Sequence, residues 1–244
     1  TTCQEFTRKG VLTDYKEATR VGLCTFGVLE RVPEGGEYEQ ATLADTGAKI
    51  RLAKYGKTFS ITREMILNDD LQAFSTIPLK MGIAARLTLE YLVYGMLLTG
   101  KSPDGVGLFD PSHNNIVNPG SALDVTGLST ARTMMRRQTE ATADGTPNLI
   151  SIVPKFLLVP PELETVADQL LASTVDPPRN NSTINPFYNK LTSICSPLLT
   201  DKKAWYLAAD PTFNDTLEVA YLDGNEAPFI EEMEVSRNDS RHST

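Results

Sequence analysis

The sequence predicts an α+β fold, on three observations. Helical and strand-like segments are interspersed without the regular strand–helix–strand rhythm of a doubly wound sheet. One segment, residues 76–99, carries apolar residues at the helical period along its whole length. Short β-type stretches bounded by Gly, Pro, Asn and Asp lie on both sides of it. With 244 residues, 41% of them hydrophobic and 22% charged, the chain can bury a sizeable core in one domain or two closely joined ones. No repeat at a fixed period is visible.

Residues 1–20 are polar and mixed in charge, with Phe6, Val11, Leu12 and Tyr15 as their few apolar anchors, and read as an arm. Thr25–Val32, Ala48–Tyr55 and Thr58–Ile61 have strand character. They flank the turns Pro33-Glu34-Gly35-Gly36-Glu37 and Ala44-Asp45-Thr46-Gly47, which predicts an extended hairpin. Its strands carry Glu30, Arg31, Lys49, Arg51, Lys54 and Lys57, so they bury no strong apolar face within their own subunit. A ribbon this thin needs a surface to lie on, such as a neighbouring chain. Thr62–Asp70 reads as a short helix opened by a threonine cap.

The long helix follows. Ile77, Met81, Ala84, Leu87, Tyr91, Tyr94 and Leu98 recur at intervals of three and four and form one stripe. At about 1.5 Å per residue, residues 76–99 span roughly 36 Å, and Gly100 and Pro103 stop them. Lys101–Ser121 is a turn-rich loop. A second helix is predicted over Ser129–Gln138, with Ala131, Met134 and Met135 inward and Arg132, Arg136 and Arg137 outward. Phe156–Val159 is a buried-strand run, and Pro160-Pro161-Glu162 opens a helix whose Leu163, Val166, Ala167, Leu170 and Leu171 share one face. A proline-rich loop over Asp176–Tyr188 leads on to strands Ala204–Ala209 and Leu217–Leu222. The turn Asp223-Gly224-Asn225 ends the second.

Lys+Arg 23 against Asp+Glu 31 leaves a formal charge of −8, so a groove gripping phosphates would work against the chain's own average field. The longest uninterrupted apolar run, Tyr91–Leu98, falls short of the roughly 20 residues a bilayer crossing needs, and no transmembrane helix is expected. Cys3, Cys24 and Cys195 lack paired spacing, and His113 and His242 are the only histidines. Neither a disulfide framework nor a zinc site is expected.

The sharpest motif is Gly95–Ser102, which satisfies GxxxxGK[ST], the phosphate-cradling loop of P-loop enzymes. That chemistry needs a strand before the loop and a helix opening at Lys101-Ser102. Helical periodicity precedes this match and Pro103-Asp104-Gly105 turns after it, so a P-loop nucleotide-binding enzyme is carried only as the alternative. His113, among Asp110, Ser112, Asn114 and Asn115, reads as a polar loop histidine. Asp69 and Asp70, like Glu231, Glu232 and Glu234, read as solvated acids rather than a divalent-metal site. Arg132, Arg136 and Arg137 read as a solvated face or subunit contact. Cys24 and Cys195 read as small core residues, and Trp205 and Tyr206 as core or interface aromatics. No catalytic residue, cofactor or metal is assigned, and a non-enzymatic structural protein is expected.

The segments Glu34–Tyr38, Tyr55–Leu71, Ala131–Gln138, Leu157–Glu164, Ala204–Pro211 and Glu218–Gly224 carry a family likeness in their sequence and order. On them the chain resembles the Mu-type major head subunits of tailed phages and prophages, which are major capsid proteins. The resemblance implies an HK97-like capsid fold: an N-terminal arm over 1–23, an extended E-loop over 24–60, and a P domain over 61–125 with its spine helix at 76–99. It further implies a mainly A-domain stretch over 126–215 and a return to the P domain over 216–244. Val32, Glu34, Gly35, Gly36, Glu37 and Tyr38 become candidate inter-subunit contacts of the E-loop.

The implied function is self-assembly into hexamers, pentamers and an icosahedral shell. The shell encloses DNA without sequence-specific binding or a membrane, in the virion, after assembly in the bacterial host cytoplasm. Portal, scaffold and prohead protease are the further partners implied. Thr1 in place of an initiator methionine suggests a processed or trimmed end. The polar segment Glu231–Thr244 replaces the strands that complete the P-domain sheet in the family, which suggests a truncated, frameshifted or minimal C-terminus.

Overall fold

The computed structural model describes residues 2–23, 45–59, 76–141, 147–176, 183–212, 214, 216–229 and 231. The predicted helix at Thr62–Asp70 and the hairpin segment Thr25–Val32 lie outside them.

The centre is a three-stranded sheet in the order β7-β6-β8, with β6 (Pro154–Val159) between β7 (Thr192–Cys195) and β8 (Tyr206–Ala209). β6 runs parallel to β7, with Leu158 opposite Ile194, and antiparallel to β8, with Leu157 opposite Leu207. Alternate side chains on a strand point to opposite faces. Phe156 and Leu158 therefore enter one core with Val93, Tyr94, Leu97, Cys3 and Phe6. Leu157 and Val159 enter a second core with Leu123, Leu128, Ala167, Leu170 and Phe187. A strand covered on both faces has no polar alternation to display, which is why Phe-Leu-Leu-Val reads as an unbroken apolar run.

The helix α1 covers the first face and spans Ile77–Thr99. On the second face lie α2 (Val125–Arg136) and α3 (Pro161–Ala172). Asp124 starts α2 by accepting a hydrogen bond from the Gly127 amide at 2.6 Å. This corrects the expected start at Ser129 to Val125. The prediction missed that turn because Thr126 and Gly127 interrupt the apolar period. Pro161 occupies the first turn of α3, where a missing N–H costs nothing. At the other end the buried Asn185 side chain donates to the Leu170 and Ser173 carbonyls and satisfies groups that a helix end leaves open.

The long helix matches its predicted bounds but not its predicted burial. Of the expected stripe only Tyr94 is buried, together with Val93 and Leu97. Leu79 is 68% exposed, Leu87 48% and Tyr91 65%. Periodicity identifies an apolar face; it does not say which chain covers it. By length and composition α1 is also apolar enough to cross a bilayer, contrary to the expectation drawn from uninterrupted runs alone. It is nevertheless broken by Lys80, Arg86 and Glu90, and its last turns are built into the core.

The N-terminal segment, expected as a thinly anchored arm, carries Cys3 and Phe6 into the core. Phe6 meets Tyr94 edge to face with ring centroids 5.9 Å apart, and Glu90 accepts from the Thr2 amide at 3.0 Å. β1 (Arg8–Leu12) then pairs in parallel with β9 (Glu218–Leu222), tying the two ends of the chain together. A β-hairpin follows, but its strands are β2 (Ala18–Leu23) and β3 (Asp45–Ile50), paired from Ala18 with Ile50 to Leu23 with Asp45. The predicted strand Ala48–Tyr55 stops at Ile50, and residues 51–59 form no strand. A small antiparallel pair, β4 (Thr139–Ala141) with β5 (Pro147–Leu149), was not anticipated, nor were β1 and β7.

Candidate assembly surfaces and what they exclude

The P-loop match fails on its surroundings. Gly95–Thr99 is the last part of α1, where a strand and phosphate loop would have to be, and the Gly100 amide closes the helix on the Met96 carbonyl at 2.8 Å. Lys101 then bridges to Gly107 in a tight turn rather than opening a helix. Gly100 has φ −66°, so it is not there for left-handed backbone. A Cβ at that position would lie 2.2 Å from the Met96 carbonyl oxygen, and that close approach is what requires glycine.

His113 ends a short 3-10 turn, Pro111–His113, within the loop between α1 and α2. Its Nε2 is 2.8 Å from Asp104 Oδ2 and its Nδ1 is 3.2 Å from the Leu108 carbonyl. The Asp104 carboxylate, then the Leu108 carbonyl, hold its pKa above the usual histidine value. Asn115 donates to the same Leu108 carbonyl at 2.7 Å, and Gln138 donates to the His113 and Asn114 carbonyls. Both ring partners belong to the same loop, and among the described residues no hydroxyl or thiol bonds the ring. The pair closes a loop, in keeping with the polar-loop reading.

Of the arginines on α2 and at its C-terminal cap, Arg132 lies over the Phe187 ring at 4.6 Å, a cation–π contact within the chain, while Arg136 and the capping Arg137 are exposed. Cys3 is buried and Cys195 is half-buried beside the second core; burial raises both thiol pKa values. Cys24 lies outside the described residues. The Trp205 indole donates to the Ser121 carbonyl at 3.0 Å at the edge of the second core. Among the described residues no three of His, Cys, Asp and Glu converge on a metal position. Asp69, Asp70, Glu232 and Glu234 lie outside them.

What the described surface does offer is apolar area. Leu79, Ile83 and Leu87 succeed one another at four-residue intervals on α1, all exposed, with Tyr91 continuing the row. On the hairpin side, residues 53–59 are exposed throughout, Tyr55 and Phe59 among them. The candidate contacts Val32, Glu34, Gly35, Gly36, Glu37 and Tyr38 lie outside the described residues. Of this row the stripe read from the sequence holds only Leu87 and Tyr91; Leu79 and Ile83 lie beside it, and exposure, which sequence does not report, is what makes the row a surface.

A protein-family model described as phage capsid protein matches residues 46–243. The chain belongs to the phage capsid protein family. It is thus a structural capsid protein, a component of the virion, and nothing supports the P-loop alternative. Among solved structures the capsid protein is similar to the capsid of bacteriophage JBD30 decorated with minor capsid protein trimers. The TM-score is 0.60 at 16% identity, covering 82% of this chain and 90% of that one. A second structure of the bacteriophage JBD30 capsid matches with TM-score 0.63 at 16% identity, covering 82% and 91%. At that identity the likeness concerns the fold, a mixed arrangement of helices and strands consistent with α+β. No curated protein sequence matches the chain.

Proposed function

We propose that the capsid protein is the Mu-type major head subunit of a tailed phage or prophage, with an HK97-like division of labour. In this reading residues 24–60 are the E-loop, 61–125 the P domain with α1 as its spine, 126–215 mainly the A domain, and 216–244 the return to the P domain. Residues 1–23 lead into it, their first turns packed on α1.

The observation that carries the reading is the mismatch on α1: a 23-residue helix whose C-terminal turns are core and whose Leu79, Ile83, Leu87 and Tyr91 are left exposed by the described residues. A hairpin with little apolar face of its own and a helix with an uncovered apolar row are complementary between copies. Each such contact buries apolar area, at about 25 cal/mol per Å² before ordering costs. It is heterologous, repeats from subunit to subunit, and closes into rings when the rotation permits. Hexamers and pentamers, an icosahedral shell around DNA held without sequence-specific contacts, and assembly in the bacterial host cytoplasm follow from that reading. So do portal, scaffold and prohead protease as partners. The net charge of −8 suits a wall that contains DNA without gripping it.

Deleting Val32–Leu43 tests the E-loop. The variant should keep the cooperative unfolding of the parent and remain a free subunit on size-exclusion chromatography. Rings or shells formed by the deleted chain would refute the E-loop role.

A further inference from the structure

The β2–β3 hairpin meets the rest of the chain through an unusual contact. Arg20, on β2, donates through Nη2 to Glu218 Oε1 of β9 at 2.8 Å and to the Val11 carbonyl of β1 at 3.1 Å. One guanidinium thus binds the hairpin to both strands of the β1–β9 pair. The Glu218 side chain is 19% exposed and the Arg20 side chain 40%, so the pair is partly shielded from water and less screened than a surface ion pair.

The seat for the carboxylate is Gly10 on β1. A Cβ there would lie 1.8 Å from Glu218 Oε1 and 2.8 Å from its Cδ. Gly10 is in a strand and not among the residues with positive φ, so its backbone does not require glycine. The space does. A side chain at position 10 would displace the Glu218 carboxylate from the position in which it meets Arg20.

We infer that Gly10, Glu218 and Arg20 form a latch that sets the orientation of the β2–β3 hairpin against the β1–β9 pair. Glu218 and Gly10 act as positioning residues: Glu218 holds Arg20, and Gly10 leaves room for Glu218. The latch is a property of the single chain. Its consequence, an E-loop presented at the angle a neighbour's α1 requires, rests on the shell reading above.

The test is a distance measurement between spin labels at Arg51→Cys, beyond β3, and Lys190→Cys, in the body. Cys24 and Cys195 are replaced by Ser, and labelled chain is diluted into unlabelled chain so that only intramolecular distances are read. The latch predicts one narrow distance in the parent. Glu218→Gln and Gly10→Ala should each lose it in favour of a broad distribution, with the thermal midpoint of the body unchanged. Arg20→Glu and Glu218→Arg should each broaden it, and the two together, which regain the ion pair but cannot donate to the Val11 carbonyl, should narrow it in part.

An unchanged distribution in Glu218→Gln or in Gly10→Ala overturns the latch, as does broadening that tracks a loss of melting temperature in every variant. Assembly is scored separately. A parent that forms no shells counts against the shell reading and leaves the distance result standing. Shells from a broadened variant remove the latch's part in assembly.

Discussion

His113 places both ring nitrogens against acceptors, the Asp104 carboxylate and the Leu108 carbonyl. A neutral imidazole donates from only one nitrogen, so the imidazolium alone satisfies both. Its folded pKa is raised above the unfolded value, largely by Asp104, so the stability it lends the loop is complete below the unfolded histidine pKa near 6.5. That contribution is lost as pH rises through the folded value. Amide exchange over Gly105–Leu108, corrected for the intrinsic pH dependence, should lose protection across that window, and His113→Asn should remove the dependence. A flat profile in the parent would contradict the clasp.

The carboxylate Asp210 has the opposite sign. The Lys155 ammonium, followed by the Thr212 amide, lowers its pKa to about 2. What that pair contributes is present above the usual carboxylate value and fades as pH falls toward 2.

Phe6 decides a different question at the same scale: whether the first residues belong to the core. It is buried against Tyr94, so Phe6→Ala should destabilise the isolated subunit by about 3–5 kcal/mol in denaturant unfolding. A loss below about 1 kcal/mol, usual for surface positions, would return the segment to an arm.

Among the elements, those with strong local signals were legible. Pro160-Pro161 ahead of an apolar period marks α3, and the Phe156–Val159 run marks β6. α1 was bounded within a residue because its period is long and Gly100 ends it. The elements that sequence missed are short strands whose pairing is non-local. β1 reads Arg-Lys-Gly-Val-Leu and is a strand because Glu218–Leu222 lies beside it. β7 reads Thr-Ser-Ile-Cys and is a strand because β6 has an open edge there. Nothing within either pentapeptide or tetrapeptide outweighs its polar residues.

The expected hairpin strand Thr25–Val32 lies outside the described residues; the strands that pair are Ala18–Leu23 and Asp45–Ile50, and Asp45-Thr46-Gly47, expected as part of a turn, belongs to the second of them. Thr19 and Val21 are ordinary strand residues set among charges, while Arg51–Phe59 has strand-like composition and no partner among the described residues. The uncovered row on α1 makes a prediction at this scale. Leu87→Glu adds a charge at an exposed position, so the subunit's stability should stay within about 0.5 kcal/mol of the parent while assembly is lost. Wild-type assembly by Leu87→Glu would remove α1 from the interface.

For the whole molecule, the two cores on either side of β6 explain how one chain is both folded and incomplete. Phe156 and Leu158 on one face and Leu157 and Val159 on the other give it a centre that closes without help. The hairpin and the N-terminal part of α1 keep apolar and extended surface outside that centre. Function was legible to the extent that family-like segments spanned the chain. The surfaces themselves were not, because exposure depends on which residues the fold leaves without neighbours.

The central claim is that these surfaces are completed by other copies of the same chain. Size-exclusion chromatography with in-line light scattering, followed by negative-stain imaging of the early fractions, tests it most directly. The account predicts a high-mass species resolving into rings or closed shells. A single-subunit mass at every concentration, with no particles on the grid, would contradict it.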